Sequence, residues 1–131
     1  NTIGDINFLD GFYLYTDVNT DIVFEGTYIH MEDWGITVAP SKWNYISVLS
    51  QNPVPVVDVF AGLEDEVSIV QAASGDSWIP GMGVNTIGNM QPGSGYKIAL
   101  AVDTAVTFNY PAASKKSAKL CKLIVPLTCS W

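Results

Sequence analysis

Along most of this chain, short apolar runs alternate with polar positions and are broken by turn residues, the pattern of a protein made of strands. Gly35-Ile36-Thr37-Val38 reads as a strand, Pro40-Ser41-Lys42 as a turn, and Trp43-Asn44-Tyr45-Ile46-Ser47-Val48 as a second strand. That second strand carries apolar groups on both faces, so a central position buried on both sides is expected. Val67-Ser68-Ile69-Val70-Gln71 is a further strand. The turn Ser74-Gly75-Asp76 then leads into Trp78-Ile79-Pro80, expected as a short edge strand. One segment departs from the period of two. Pro55 suits a first helical turn, Val56, Val59, Phe60 and Leu63 recur at helical spacing, and Gly62 would end the element. The spacing predicts one short helix near 55–62.

The chain also resembles itself. Placing Asn1 on Asn85, an offset of 85 − 1 = 84 residues, gives eight identities in twenty-four ungapped positions. Asn1-Thr2-Ile3-Gly4 repeats as Asn85-Thr86-Ile87-Gly88, and Gly11, Val18, Thr20 and Phe24 meet Gly95, Val102, Thr104 and Phe108. Both copies read as a β-hairpin. Gly11-Phe12-Tyr13-Leu14-Tyr15 and Gly95-Tyr96-Lys97-Ile98-Ala99-Leu100 supply the first strand. A polar turn follows, and Ile22-Val23-Phe24 or Val106-Thr107-Phe108 supplies the second. In the second copy Pro92-Gly93-Ser94-Gly95 adds a tight turn before the first strand. Because Phe12 and Leu14 align with Tyr96 and Ile98, these form the inward row, and Tyr13 and Tyr15 face out. The expected fold class is mainly β: antiparallel sheets or a sandwich built from a repeated hairpin, with the one short helix. Residues 1–30 are then the C-terminal half of a preceding copy, 31–110 one full repeat unit, and 111–131 a linker or the start of the next element. A chain that opens on Asn1 without an initiator methionine suggests a mature product or an excised fragment.

An ordered series of motifs adds a resemblance. It runs Trp43-Asn44-Tyr45-Ile46-Ser47, Val59-Phe60-Ala61-Gly62-Leu63, Trp78-Ile79-Pro80 and Ile87-Gly88-Asn89-Met90-Gln91-Pro92-Gly93-Ser94-Gly95-Tyr96. Residues 35–110 thereby resemble the "WNxIS…PGxGY" β-rich repeat modules found in tandem in large secreted bacterial surface proteins, with similar stretches in fibre-like phage proteins. The resemblance implies a structural or adhesive module at a cell or virion surface, and it brings no activity with it. The first copy departs from the Pro-Gly-x-Gly element, and residues 111–131 lie outside the resemblance.

Composition narrows the partners. Hydrophobic residues make up 48% of the chain, enough for a core, while charged residues are only 15%, below the roughly 25% usual in soluble domains. The net charge is −7 and arginine is absent, which removes the electrostatic basis for nucleic-acid binding. Residues 1–110 hold all thirteen acids but only Lys42 and Lys97, a balance of 2 − 13 = −11, and residues 111–131 carry the other four lysines. No apolar run approaches the roughly 18 residues of a membrane-spanning helix. Cys121 and Cys129 fit no zinc spacing and read either as a small disulfide loop or as two thiols on a terminal strand pair.

No pattern of residues assembles a catalytic centre, and no enzyme activity or cofactor is expected. His30 is the only histidine, and with Glu32 and Asp33 it is explained by a solvated turn. Asp17, Asn19 and Asp21 match the first half of a calcium loop, but Ile22 replaces the glycine and Tyr28 the final acid, so a turn explains them better. The acidic run Glu64-Asp65-Glu66 reads as a solvated loop. The remaining candidates are aromatic. Tyr13, Tyr15, Trp34 and Trp78 could stack on sugar rings, whereas Trp43 and Phe60 are expected in the core. The partners expected are therefore neighbouring repeats or a second copy, or alternatively a glycan.

Overall fold

Short apolar runs separated by sharp turns have little choice but to pair, and the computed structural model shows with what. It describes residues 11, 15–21, 23–26, 33–112 and 121–124, with 24–26 and 121–124 as backbone. In chain order the elements are β1 (Val23–Gly26), β2 (Ile36–Val38), β3 (Asn44–Ser47), β4 (Val54–Pro55), α1 (Val56–Val59), β5 (Val67–Ala72) and β6 (Ser77–Ile79). A 3-10 turn at Pro80–Met82 precedes β7 (Val84–Asn85), β8 (Asn89–Met90), β9 (Gly95–Leu100), β10 (Val106–Phe108) and β11 (Cys121–Ile124). The fold is mainly β, with antiparallel sheets and one short helix, as the periodicity predicts. The largest sheet has the order β3-β9-β5-β6-β7, and β2–β10, β4–β8 and β1–β11 form separate two-stranded ladders.

Local chemistry sets the turns. Pro92 and Gly93 (φ +77°) fill the central positions of the bend between β8 and β9, closed by Ser94 N–H donating to the Gln91 carbonyl at 3.1 Å. The turn after β2 is held by Asn44 instead. Its Oδ1 accepts from Ala39 N–H at 3.0 Å, and its Nδ2 donates to the Ala39 and Lys42 carbonyls at 2.8 and 3.2 Å. That side-chain clamp accompanies a positive φ of 61° at Ser41, the only such non-glycine among the described residues.

The core lies between the five-stranded sheet and the β2–β10 ladder, with α1 and the residues after it wedged in. Ile46, Val70, Trp78, Tyr96 and Ile98 point inward from the sheet, and Ile36, Val38 and Phe108 from the ladder. Phe60 joins the two. Its ring stacks on Trp78 at 5.6 Å and tilts against Phe108 at 4.7 Å, and Phe108 in turn meets Tyr110 edge-on at 5.6 Å. Tyr110 closes this chain of rings by donating its hydroxyl to the Ser47 carbonyl at 2.7 Å, which ties the segment after β10 to β3.

Burial, and to a lesser extent the neighbouring Tyr96, push the Tyr110 phenol far above its usual range, so it stays a donor. A phenol whose folded pKa is raised contributes stability that is present below its unfolded pKa near 10 and is lost as pH rises beyond it. Tyr110→Phe is therefore expected to cost about 0.5–1.5 kcal/mol at neutral pH. It should also flatten the stability decline above about pH 10. Urea titrations of both chains across that range test this; an unchanged alkaline slope would contradict it.

Three expectations need correction. The segment 95–108 is not a hairpin: β9 pairs with β3 and β5, whereas β10 pairs with β2. The bend at 101–104 carries the chain off the sheet, fastened by Ala101 N–H to the Glu66 carbonyl at 2.8 Å. β3 is not a central strand buried on both sides. It is the first strand in its sheet, with Ile46 buried and Tyr45 exposed. Nor is β6 an edge strand, because the two-residue β7 pairs along its far side through Trp78↔Asn85 and Ile79↔Val84.

The strands related by the 84-residue offset are both paired. β1 corresponds to positions 107–110, overlapping β10. β10 takes β2 as its antiparallel partner, and β1 takes β11, so Cys121 begins a strand. Cys129 lies outside the described residues. The first strand of the first copy falls mostly outside them as well, but Gly11 is placed. Its N–H donates to the Tyr45 carbonyl at 3.4 Å, beside β3.

Candidate binding surface

Residues directly opposite one another in an antiparallel ladder project to the same face. The pairings Tyr45↔Lys97, Lys97↔Gln71 and Gln71↔Ser77 therefore lay one row across β3, β9, β5 and β6. The adjacent positions Ile46, Tyr96, Ile98, Val70 and Trp78 turn into the core, so this row looks outward. Trp43, just before β3, completes it. Lys97 Nζ stands 4.6 Å from the Trp43 ring centroid, a cation–π contact. Gln71 Nε2 donates to Ser77 Oγ at 3.3 Å, which orients the amide.

The surface is flat, aromatic and cationic. Trp43 and Tyr45 are 44% and 46% exposed, against full or near-full burial for their neighbours Ile46 and Val48. Lys42 adjoins Trp43 in sequence and is exposed. Of the only two lysines of residues 1–110, Lys97 thus stands over the Trp43 ring and Lys42 precedes Trp43 in the chain. Among the described residues no carboxylate forms an ion pair with Lys42 or Lys97.

The residues singled out in the sequence fare differently. Trp78 is not exposed; it is a core residue at 4% exposure, stacked on Phe60, and cannot reach a ligand. Trp43 shows the opposite reversal, standing on the surface where a core position was expected. Phe60 is in the core, fully buried. Tyr15 is 88% exposed, before the bend at Asp17-Val18, and Trp34 is 45% exposed, just before β2. Neither occupies one of the ladder positions that make up the Trp43 row. Tyr13 and His30 lie outside the described residues. Asp17, Asn19 and Asp21 are exposed in one loop, and among the described residues no group of three or more His, Cys, Asp or Glu side chains is placed to hold a metal.

A second depression of about 390 Å³ lies between the bends at 73–76 and 91–94. Asp76, Asn89, Gln91 and Ser94 line it with Ile87 and Tyr96. Asp76 is its single carboxylate, and Oδ2 accepts from Ser74 Oγ at 2.7 Å. Tyr96 directs its hydroxyl to accept from Gln91 N–H at 2.9 Å. These groups are thus engaged within the protein.

No protein-family model, curated protein or solved structure matches the chain. Among the described residues no helix is long and apolar enough to cross a membrane.

Proposed function

We propose that this chain is a non-catalytic structural or adhesive repeat module of a large extracellular or virion-surface protein, joined to like modules along the chain. The observation that carries this reading is the contact of Gly11 with β3. Gly11 belongs to the first copy of the 84-residue offset, and Tyr45 to the unit that holds the second. A backbone bond between them puts one copy against the edge of the next, as in arrays where each unit contacts its neighbour. Sheet edges favour such joining, since they present unpaired N–H and C=O groups.

In such arrays stability is the sum of each unit's own and a term for each junction. Two 84-residue periods linked in their natural order are therefore expected to melt at a higher temperature than residues 31–110 alone. Equal melting temperatures would mean that the units do not support one another, and the reading would fall.

A second reading, a carbohydrate-binding module, is favoured by the outward row. Of the aromatic residues expected to bind sugar, Trp78 drops out, and Tyr15 and Trp34 are not among the ladder positions of the outward row. The surface that suits a sugar ring is that of Trp43 and Tyr45, since exposed indole and phenol faces stack on the apolar face of a pyranose and Gln71 can exchange hydrogen bonds with its hydroxyls.

A further inference from the structure

The geometry points to a binding site for a uronic-acid polysaccharide on the outer face of the five-stranded sheet, formed by Trp43, Tyr45, Lys97 and Gln71. This inference rests on the carbohydrate-binding reading and adds to it the charge of the sugar. Three observations converge. The first is shape. Trp43 and Tyr45 are two residues apart at one end of β3 and both exposed, a spacing of roughly 7 Å along an extended backbone, the scale of one pyranose. The second is charge. Residues 1–110 carry a balance of 2 − 13 = −11, yet of their two lysines one stands over Trp43 and the other precedes it in the chain. Neither is neutralised by an ion pair among the described residues, and Lys97 Nζ is held 4.6 Å from the indole centroid.

The third is order. Lys97 comes from the middle of β9, which is paired on both sides, and it lies opposite Tyr45 and Gln71. Its ammonium is therefore supported next to the stacking rings, and less side-chain freedom is lost on binding. A sugar ring lying on Trp43 would bring an equatorial carboxylate towards Lys97 and its hydroxyls towards Gln71. A neutral polysaccharide would use the rings and leave the Lys97 cation unpaired.

The test uses the full chain with polygalacturonate and its methyl-esterified form, which keeps the ring and removes the charge, measured by calorimetry or by gel retardation. Polygalacturonate is expected to bind at least tenfold more tightly than the ester. The preference should shrink between about 0.05 M and about 0.5 M NaCl. Lys97→Met is expected to abolish most of the preference, Lys97→Arg to keep it, and Trp43→Ala to weaken both polymers. Both positions are outside the core, and a single cooperative thermal melt for each variant confirms that it folds. Equal binding of the two polymers would overturn the anionic inference and leave the carbohydrate reading standing. Binding of neither would overturn both. Concentration-dependent self-association that Lys97→Met abolishes would show instead that the site receives an acidic surface of a second copy.

Discussion

Trp78→Ala is expected to lower the free energy of unfolding by about 3–5 kcal/mol, the cost of removing a large aromatic side chain from a closed core. Trp78 is 4% exposed and stacks on Phe60 at an interplanar angle of 16°. Phe60 is also the ring that touches Phe108 on the opposing ladder. Removing the indole therefore leaves a cavity on one side of the side chain that bridges the two layers, and the surrounding strands cannot close it without moving β6. Trp43→Ala is the matched control. It removes the same group from a half-exposed position, where only part of the ring and its cation–π contact are lost, and about 1 kcal/mol is the expected ceiling. Chemical denaturation of the three chains measures both. If the two tryptophans cost the same, the assignment of which one is in the core is wrong.

The contrast between the tryptophans also shows what could be read from the sequence. The inward row of β9 was legible, because the offset aligns Phe12 and Leu14 with Tyr96 and Ile98, and only a core demands that apolar character be kept at alternate positions. Tyr96 and Ile98 are accordingly buried. For β3 the same reasoning has nothing to hold, since aromatic and aliphatic residues alternate and both rows are apolar. Register decides it: Ile46 lies opposite Tyr96 and Tyr45 opposite Lys97, so the face of β9 dictates the face of β3. Register is a long-range property and leaves no local signature.

Trp78 was misread for a related reason. A strand of two residues, as β7 is, has no periodicity, so β6 reads as an edge with an open side. The hairpin expectation failed because proximity in sequence favours local pairing, whereas Ala101 is bonded to Glu66 and β10 is delivered to β2. The helix, by contrast, was legible from its proline and its spacing, though it ends at Val59 and not at Gly62. It is four residues long, and its apolar positions Val56 and Val59 are buried. The candidate surface was out of reach of sequence patterns, for Trp43 and Lys97 are far apart in the chain and meet only through the β3–β9 ladder.

Gly11 and Gly95 occupy the same position in the two copies, and alanine is expected to act on them in opposite directions. A Cβ at Gly11 would lie 2.9 Å from the Ile46 carbonyl oxygen and 3.2 Å from its carbon and nitrogen, all backbone atoms that no rotamer change can move aside. A Cβ at Gly95 meets nothing within 4 Å. Gly95→Ala should therefore be neutral or stabilise by up to about 1 kcal/mol, through the lower entropy of the unfolded chain. Gly11→Ala should destabilise by about 1–3 kcal/mol, the usual range for forcing atoms into a filled space. That cost has a ceiling. The chain can escape the clash by releasing the segment around Gly11 from β3, so the substitution cannot cost more than the docking itself contributes. Removing residues 1–30 measures that contribution directly, and its cost must equal or exceed that of Gly11→Ala. Denaturation curves of the two alanine variants and of residues 31–131 settle the matter together. Equal responses at Gly11 and Gly95, or a truncated chain as stable as the whole, would mean that the first copy does not rest on β3.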